Sequence, residues 1–231
     1  MQKPVPWISG SDDFPPPESA DERGFVCAGG ELSVARLLRA YRTGLFPWSV
    51  RPVTWWSPNP RGIFEFQSVH IGRSLARTLR QRRFVVTMDR AFSTVVRACA
   101  SVPRQGDDTW IRPEFVEAYE HLHREGWAHS CECWRGDRLV GGVYGVAIGG
   151  FFAGESMFHH DDDASKVAVV SLLDHLRRRR YQLFDTQMLT STTRALGAVD
   201  ISRTEYLSRL AAALDAPCQF HGKPVAAGIF E

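Results

Sequence analysis

Between Ala128 and Phe158 the chain passes through three apolar, strand-like segments with almost nothing between them: Ala128 to Arg135, Leu139 to Ile148 and Phe151 to Phe158. Gly136-Asp137 and Gly149-Gly150 supply the turns, and connections this short join antiparallel neighbours. After this meander, Val167, Val170, Ser171 and Leu173 fall near one side of a helix over 164–178, and Tyr181 to Thr186 reads as a further strand. Upstream, the patterns predict a strand at Ile63 to Phe66, a helix rich in arginine, a strand at Phe84 to Met88 and a helix at Ala91 to Ala100. Pro113 suits the first turn of another helix, which Gly126 ends, and Thr204 to Leu214 forms a last one. Meander, helix, strand predicts an α+β fold around a mixed, mostly antiparallel sheet flanked by helices.

The 231 residues, 44% apolar and 23% charged, are enough for a substantial core and exclude disorder. Runs such as Gly141 to Phe152 are too short and glycine-rich to span a bilayer, and Met1-Gln2-Lys3-Pro4 opens no signal peptide, so a soluble, cytoplasmic protein is expected. The five cysteines lack the paired spacing of a zinc site. Cys131 and Cys133 share one strand face and are expected to pack as small apolar residues. The first 23 residues, with Phe14-Pro15-Pro16-Pro17, read as an extended lead-in. Ser33 caps a short helix ending at Gly44, and Trp48, Trp55 and Trp56 follow among prolines. This divides the chain into a small N-terminal α/β domain, 1–60, and a main domain, 61–231. Trp55 and Trp56 suit a seam between the two, while Trp48 suits a flat surface on which a base stacks.

A net charge of +2 demands no nucleic-acid partner, but the distribution is uneven. Arg73, Arg77 and Arg80 lie on one side of a helix and Arg177 to Arg180 end a later one, either as solvated faces or together as a phosphate-backbone footprint. Two segments place polar groups inside apolar strands, where an unpaired charge is costly. They are Ala153-Gly154-Glu155-Ser156-Met157-Phe158 and Leu183-Phe184-Asp185-Thr186-Gln187. Asp185 and Gln187, two apart at a strand end, are expected to point the same way.

The element order is similar to that of acetyltransferase-like (GNAT-like) domains. Those that use acyl-CoA hold its diphosphate on a glycine-rich loop and helix N-terminus after the central strand. The equivalent loop here is His159-His160-Asp161-Asp162-Asp163, whose carboxylates would repel a diphosphate. Those aspartates are expected to cap the following helix instead.

The chain also resembles the leucyl/phenylalanyl-tRNA-protein transferases. The matching segments include Gly29-Gly30-Glu31-Leu32, Gly44-Leu45-Phe46-Pro47-Trp48, Trp55-Trp56-Ser57-Pro58-Asn59-Pro60-Arg61, Gly141-Gly142-Val143-Tyr144-Gly145, Gly154-Glu155-Ser156-Met157-Phe158, Asp185-Thr186-Gln187 and Leu196-Gly197-Ala198. They occur in this order from about residue 24 to about residue 210. The resemblance implies transfer of Leu, Phe or Met from aminoacyl-tRNA to the N-terminal Arg or Lys of a protein, creating an N-degron. It implies that Asp185 and Gln187 assist the attacking amine and that Glu155 contacts the acceptor's cationic residue. Trp48 and Trp110 would form the platform for the terminal adenosine and the pocket rim. Tyr41, Val143, Phe152, Ser156, Met157 and Phe184 would line the substrate site, and Arg73, Arg77 and Arg80 would contact the tRNA acceptor stem. Val143 and Phe184 depart from the family's usual apolar choices, and Thr192 and Ala195 stand where a His and a Ser are usual.

The chemistry of the residues agrees. An aminoacyl ester is already activated, so positioning and electrostatics suffice, and no metal, cofactor or covalent nucleophile is called for. A free α-amine has a pKa of about 8, and a neighbouring carboxylate-amide pair would orient it and help remove its proton. An aminoacyltransferase is therefore expected, and a monomeric protein. The competing classes are a non-catalytic tRNA-binding module, indifferent to Asp185 and Gln187, and a CoA-dependent N-acetyltransferase.

Overall fold

The meander forms the middle of a seven-stranded sheet in the computed structural model, which describes residues 5–10, 12–102 and 111–221. Its strands are β5 (Arg61–Phe64), β6 (Val85–Met88), β7 (Ala128–Arg135), β8 (Arg138–Ile148), β9 (Phe151–His159), β10 (Leu183–Gln187) and β11 (Val199–Ile201). They lie in the order β11-β5-β10-β9-β8-β7-β6. Every pairing is antiparallel except β9 with β10, which are parallel because α5 (Ala164–Arg178) crosses between them. A smaller sheet, β1-β2-β4-β3, uses β1 (Trp7–Ile8), β2 (Phe25–Gly29), β3 (Phe46–Val50) and β4 (Val53–Trp56).

Alternation within the strands sends side chains to two cores. Ile63, Ala153 and Leu183 face one, shared with α1 (Val34–Arg42), α3 (Phe92–Ser101), α4 (Pro113–Arg124) and α7 (Arg203–Leu214). Phe64, Phe152 and Phe184 face the other, covered by α5 and by Leu75 of α2 (Arg73–Arg80). Each isoleucine, leucine or phenylalanine side chain removed from water in this way contributes roughly 1.5–3 kcal/mol. Cys131 and Cys133 are fully buried in the second core, and burial pushes the Cys133 thiol up to about 12, consistent with inert packing. Trp55 is fully buried and donates its indole N–H to the Gly29 carbonyl at 2.9 Å.

Ser33 caps α1 as expected, its hydroxyl accepting from the Arg36 amide. Two stretches carry elements that the sequence patterns did not predict, and one expectation is corrected. The lead-in contributes β1, which pairs in parallel with β2. The polar stretch after Gln187 contains α6 (Ser191–Ala195), closed by a Thr190/Thr193 capping box, and then β11. Asp163 makes no side-chain cap at the start of α5, because its carboxylate is drawn to Lys166 at 2.9 Å and Thr78 at 3.2 Å.

Candidate active site

β9 and β10 pair only as far as Ala153 and Asp185, and beyond that point the strands part. Each carries an extra residue there. Glu155 is the surplus residue of β9 opposite Tyr144 and Gly145, and Thr186 is that of β10 opposite Gly62 and Ile63. Such bulges re-aim side chains at strand ends. Gly145 lets β8 follow the distortion, since a Cβ there would stand 2.1 Å from the Ala153 carbonyl oxygen.

A cavity of about 360 Å³ opens at this parting. Phe64, Val143, Met157, Val169 and Phe184 give it an apolar floor, and Glu155, Ser156, Thr186, Thr190, Thr192 and Thr193 a polar wall. The Phe184 ring stands edge-on to Phe64 at 5.4 Å. Of the candidates named from sequence, Val143, Glu155, Ser156, Met157 and Phe184 line this cavity. Phe152 does not: it is fully buried behind Phe184, with ring centroids 5.2 Å apart. Tyr41, Asp185 and Gln187 also stand behind the wall. Trp48 is half-buried against Phe46 and Trp56, outside the lining, and Trp110 lies outside the described residues.

Glu155 is the hub. Its Oε1 accepts from the Tyr41 hydroxyl at 2.8 Å and the Gln187 amide at 2.9 Å, and its Oε2 accepts from the Tyr119 hydroxyl at 2.7 Å. The two hydroxyls also meet each other at 2.7 Å. Desolvation outweighs these hydrogen bonds and pushes the Glu155 carboxyl up to about 7.

Asp185 is fully buried and fully occupied. Its Oδ1 accepts from Arg61 Nε at 2.9 Å and from the Gln187 backbone amide at 2.7 Å. Its Oδ2 accepts from Arg61 Nη2 at 2.7 Å and the Tyr206 hydroxyl at 2.9 Å. This bidentate pair, 1% and 0% exposed, locks β5 to β10. The expectation that Asp185 and Gln187 point the same way is corrected, because the bulge at Thr186 breaks the alternation. Asp185 turns to Arg61 and Tyr206, and Gln187 to Glu155, with the Gln187 backbone in the left-handed region at φ 62°.

Arg61, Tyr119 and Tyr206 were not singled out from sequence. Tyr119 and Tyr206 sit at apolar helix positions and look like core. Arg61 left a signal: it opens an apolar strand, and a buried carboxylate such as Asp185 needs a cation nearby.

The arginines of α2 have no part in this wall. Arg73, Arg77 and Arg80 are exposed and form no ion pair with the described residues, while Leu75 and Thr78 of the same helix are buried. Arg177 and Arg178, by contrast, pair with Asp174 on their own helix. Among the described residues, one His/Asp cluster has the composition of a metal site, Asp89 with His129 and His221. Its 2.6 and 2.7 Å contacts are hydrogen-bond distances, shorter than the roughly 3.3 Å between ligands of tetrahedral zinc. No helix of the described residues is long and apolar enough to cross a membrane.

Comparison with known proteins bears on this geometry. The sequence model of the leucyl/phenylalanyl-tRNA protein transferase matches residues 63–211, and that of its N-terminal domain matches residues 30–59. The chain belongs to this family. Relatives bearing the name leucyl/phenylalanyl-tRNA–protein transferase include one from Anaeromyxobacter sp. (strain Fw109-5), 50% identical over 88% of each chain. Another, from Aromatoleum aromaticum, is 49% identical over 90% of this chain and 89% of its own. Among solved structures, a GCN5-related N-acetyltransferase-like protein from Streptococcus suis aligns at 14% identity over 73% of this chain and 64% of its own, with a TM-score of 0.34. Among the described residues that line the cavity of this transferase family member, Glu155 alone carries a carboxyl group.

Proposed function

We propose that this protein transfers Leu, Phe or Met from aminoacyl-tRNA to the N-terminal Arg or Lys of acceptor proteins. The observation that carries the proposal is family membership at about half identity over nearly the whole chain, joined to an apolar cavity with one carboxyl group in its wall. The aminoacyl side chain lies on Val143, Met157 and Phe184, backed by Phe152. Such a floor separates apolar side chains from polar ones and separates Leu, Phe and Met from one another poorly. Trp48 and Trp110 receive the terminal adenosine, and the division at residue 60 leaves Tyr41 and Trp48 as the contribution of the first sixty residues.

Glu155, ionised, holds the acceptor's cationic residue beside the ester. The α-amine attacks the aminoacyl carbonyl, the new C–N bond forms as the bond to the tRNA ribose oxygen breaks, and the amine proton passes to that leaving oxygen through the Glu155–Gln187 side. Asp185 acts through Gln187, holding its backbone amide and thereby aiming its side chain. The fully occupied Asp185 oxygens favour this indirect role over direct proton transfer.

The test is a transfer assay with purified protein, charged tRNA carrying radiolabelled Leu, Phe or Met, and peptides beginning with Arg or Lys. Transfer without added ATP, CoA or metal is expected, with Gln187→Ala reduced by about 100-fold, the order of effect for losing one pre-positioned hydrogen-bond donor. Absence of transfer by folded wild-type protein would remove the proposal. Thermal stabilisation by acetyl-CoA would revive the acetyltransferase alternative.

Arg73, Arg77 and Arg80 contact the acceptor-stem backbone. Their exposure on one face supports this, and phosphate contacts are sequence-independent and salt-sensitive. Replacing all three by Gln is expected to weaken binding to every tRNA alike. The slope of log affinity against log salt, measured by fluorescence anisotropy, should fall by roughly one per arginine. An unchanged slope places the tRNA elsewhere.

A further inference from the structure

The Glu155 hub contains a counting problem. Three oxygen groups, the hydroxyls of Tyr41 and Tyr119 and the carboxyl of Glu155, form a closed ring of contacts at 2.7, 2.8 and 2.7 Å. At such separations each contact needs a hydrogen between its oxygens. The two hydroxyls supply two. The third must come from the carboxyl itself.

We infer that the substrate-free enzyme holds Glu155 as a neutral carboxylic acid, closed into a ring with Tyr41 and Tyr119, and that capture of a cationic acceptor expels its proton. This rests on the reading of Glu155 as the acceptor contact and adds the linkage to it. In the ring, Glu155 O–H donates to one hydroxyl, that hydroxyl donates to the second, and the second returns its proton to the other carboxyl oxygen. Gln187 Nε2 adds a fourth contact without needing the carboxyl's charge. When the acceptor's cation arrives, the O–H bond of Glu155 breaks, its proton leaves to solvent, and both tyrosines turn their hydroxyls onto the carboxylate.

The surroundings favour the neutral form until then. Tyr41 comes from α1, Tyr119 from α4, Gln187 and Asp185 from β10, and Tyr144 from β8 packs its ring 5.3 Å from that of Tyr119. The nearby Arg61 cation is already neutralised by Asp185, two contacts holding it there. His159 is the other titratable side chain of the cavity lining. Glu155 is 9% exposed, so an ionised form without a cation beside it gains little from water. Tyr119 thereby becomes a positioning residue of the acceptor site, acting through Glu155.

The experiment is calorimetry of a dipeptide with N-terminal arginine binding to the full-length enzyme, in buffers of different ionisation enthalpy. An N-terminal alanine dipeptide serves as control. Release of about one proton per arginine dipeptide is expected at pH 6, falling towards zero by pH 8.5. Infrared difference spectra should show a protonated carboxyl band lost on binding and missing in Glu155→Gln. Tyr119→Phe is expected to move the midpoint of the pH profile of acceptor KM while leaving kcat at saturating acceptor near the wild-type value. Arginine-dipeptide binding that depends on Glu155 yet releases no proton at pH 6 overturns the inference and spares the acceptor reading. Equal binding by Glu155→Gln overturns both.

Discussion

Replacing Arg61 by methionine should lower stability by about 3–5 kcal/mol, the usual result of removing one partner of a buried ion pair. Asp185 would remain, wholly enclosed, with only the Tyr206 hydroxyl and the Gln187 amide to offset its charge. Against a typical stability of about 5–15 kcal/mol this is a large share, and in a chain of this length it corresponds to a melting temperature lower by on the order of 10 °C. The double variant Arg61→Met/Asp185→Leu should recover part of the loss, because two apolar groups carry no desolvation penalty. It should nevertheless fail to transfer, since the Gln187 backbone amide loses its acceptor and the left-handed turn its tether. Thermal melts with a transfer assay on the same samples check both halves. A double variant less stable than Arg61→Met alone would show that the pair is not held by charge.

The second large effect concerns Glu155→Gln, for which stability and activity should move in opposite directions. Burial raises the carboxyl from its ordinary 4.5 to about 7. Between those values the folded state binds the proton more tightly than the unfolded state, so this group favours folding at low pH and the contribution fades as pH rises through 7. Each tenfold difference in proton affinity is worth about 1.4 kcal/mol, so ionised Glu155 costs the fold on the order of 3 kcal/mol at pH 8. Glutamine keeps the shape and carries no charge. Glu155→Gln should therefore melt several degrees above wild type at pH 8 and match it near pH 4.5, while transfer to N-terminal Arg or Lys falls by more than about 100-fold. Equal melting temperatures at both pH values would show that Glu155 is not charged at a cost. A retained transfer rate would take it out of the acceptor site.

The two variants separate different kinds of expense. The Asp185 charge is buried with its counter-charge built in, so the fold depends on it. The Glu155 charge is buried without one, and the site is completed only when a substrate brings the cation.

Much of this was legible beforehand for definite reasons. The meander, α5 and β10 could be read because apolar periodicity and glycine turns are local signals. Glu155 and Asp185 could be picked out because a carboxylate inside an apolar strand demands an explanation. The arginine face of α2 followed from helical spacing. What failed was any step that assumed regular pairing. Asp185 and Gln187 part company because one extra residue, Thr186, sits between the pairs they make with Ile63 and Gly62. Phe152 sits behind the cavity because Phe184 occupies the surface in front of it. α6 was hidden in a polar stretch whose capping box joins Thr190 to a threonine, Thr193, with no apolar stripe behind it.

By itself, then, the sequence determined which segments become strands and helices and which carboxyl groups are expensive, since both depend on residues a few positions apart. Only the tertiary structure decided which expense is answered from within. Arg61 reaches Asp185 across 124 positions, and Tyr41 and Tyr119 reach Glu155 across 114 and 36. Those meetings are set by strand order, by two bulges and by where β9 and β10 part. No local pattern encodes that geometry, because it arises from the packing of elements far apart in the chain.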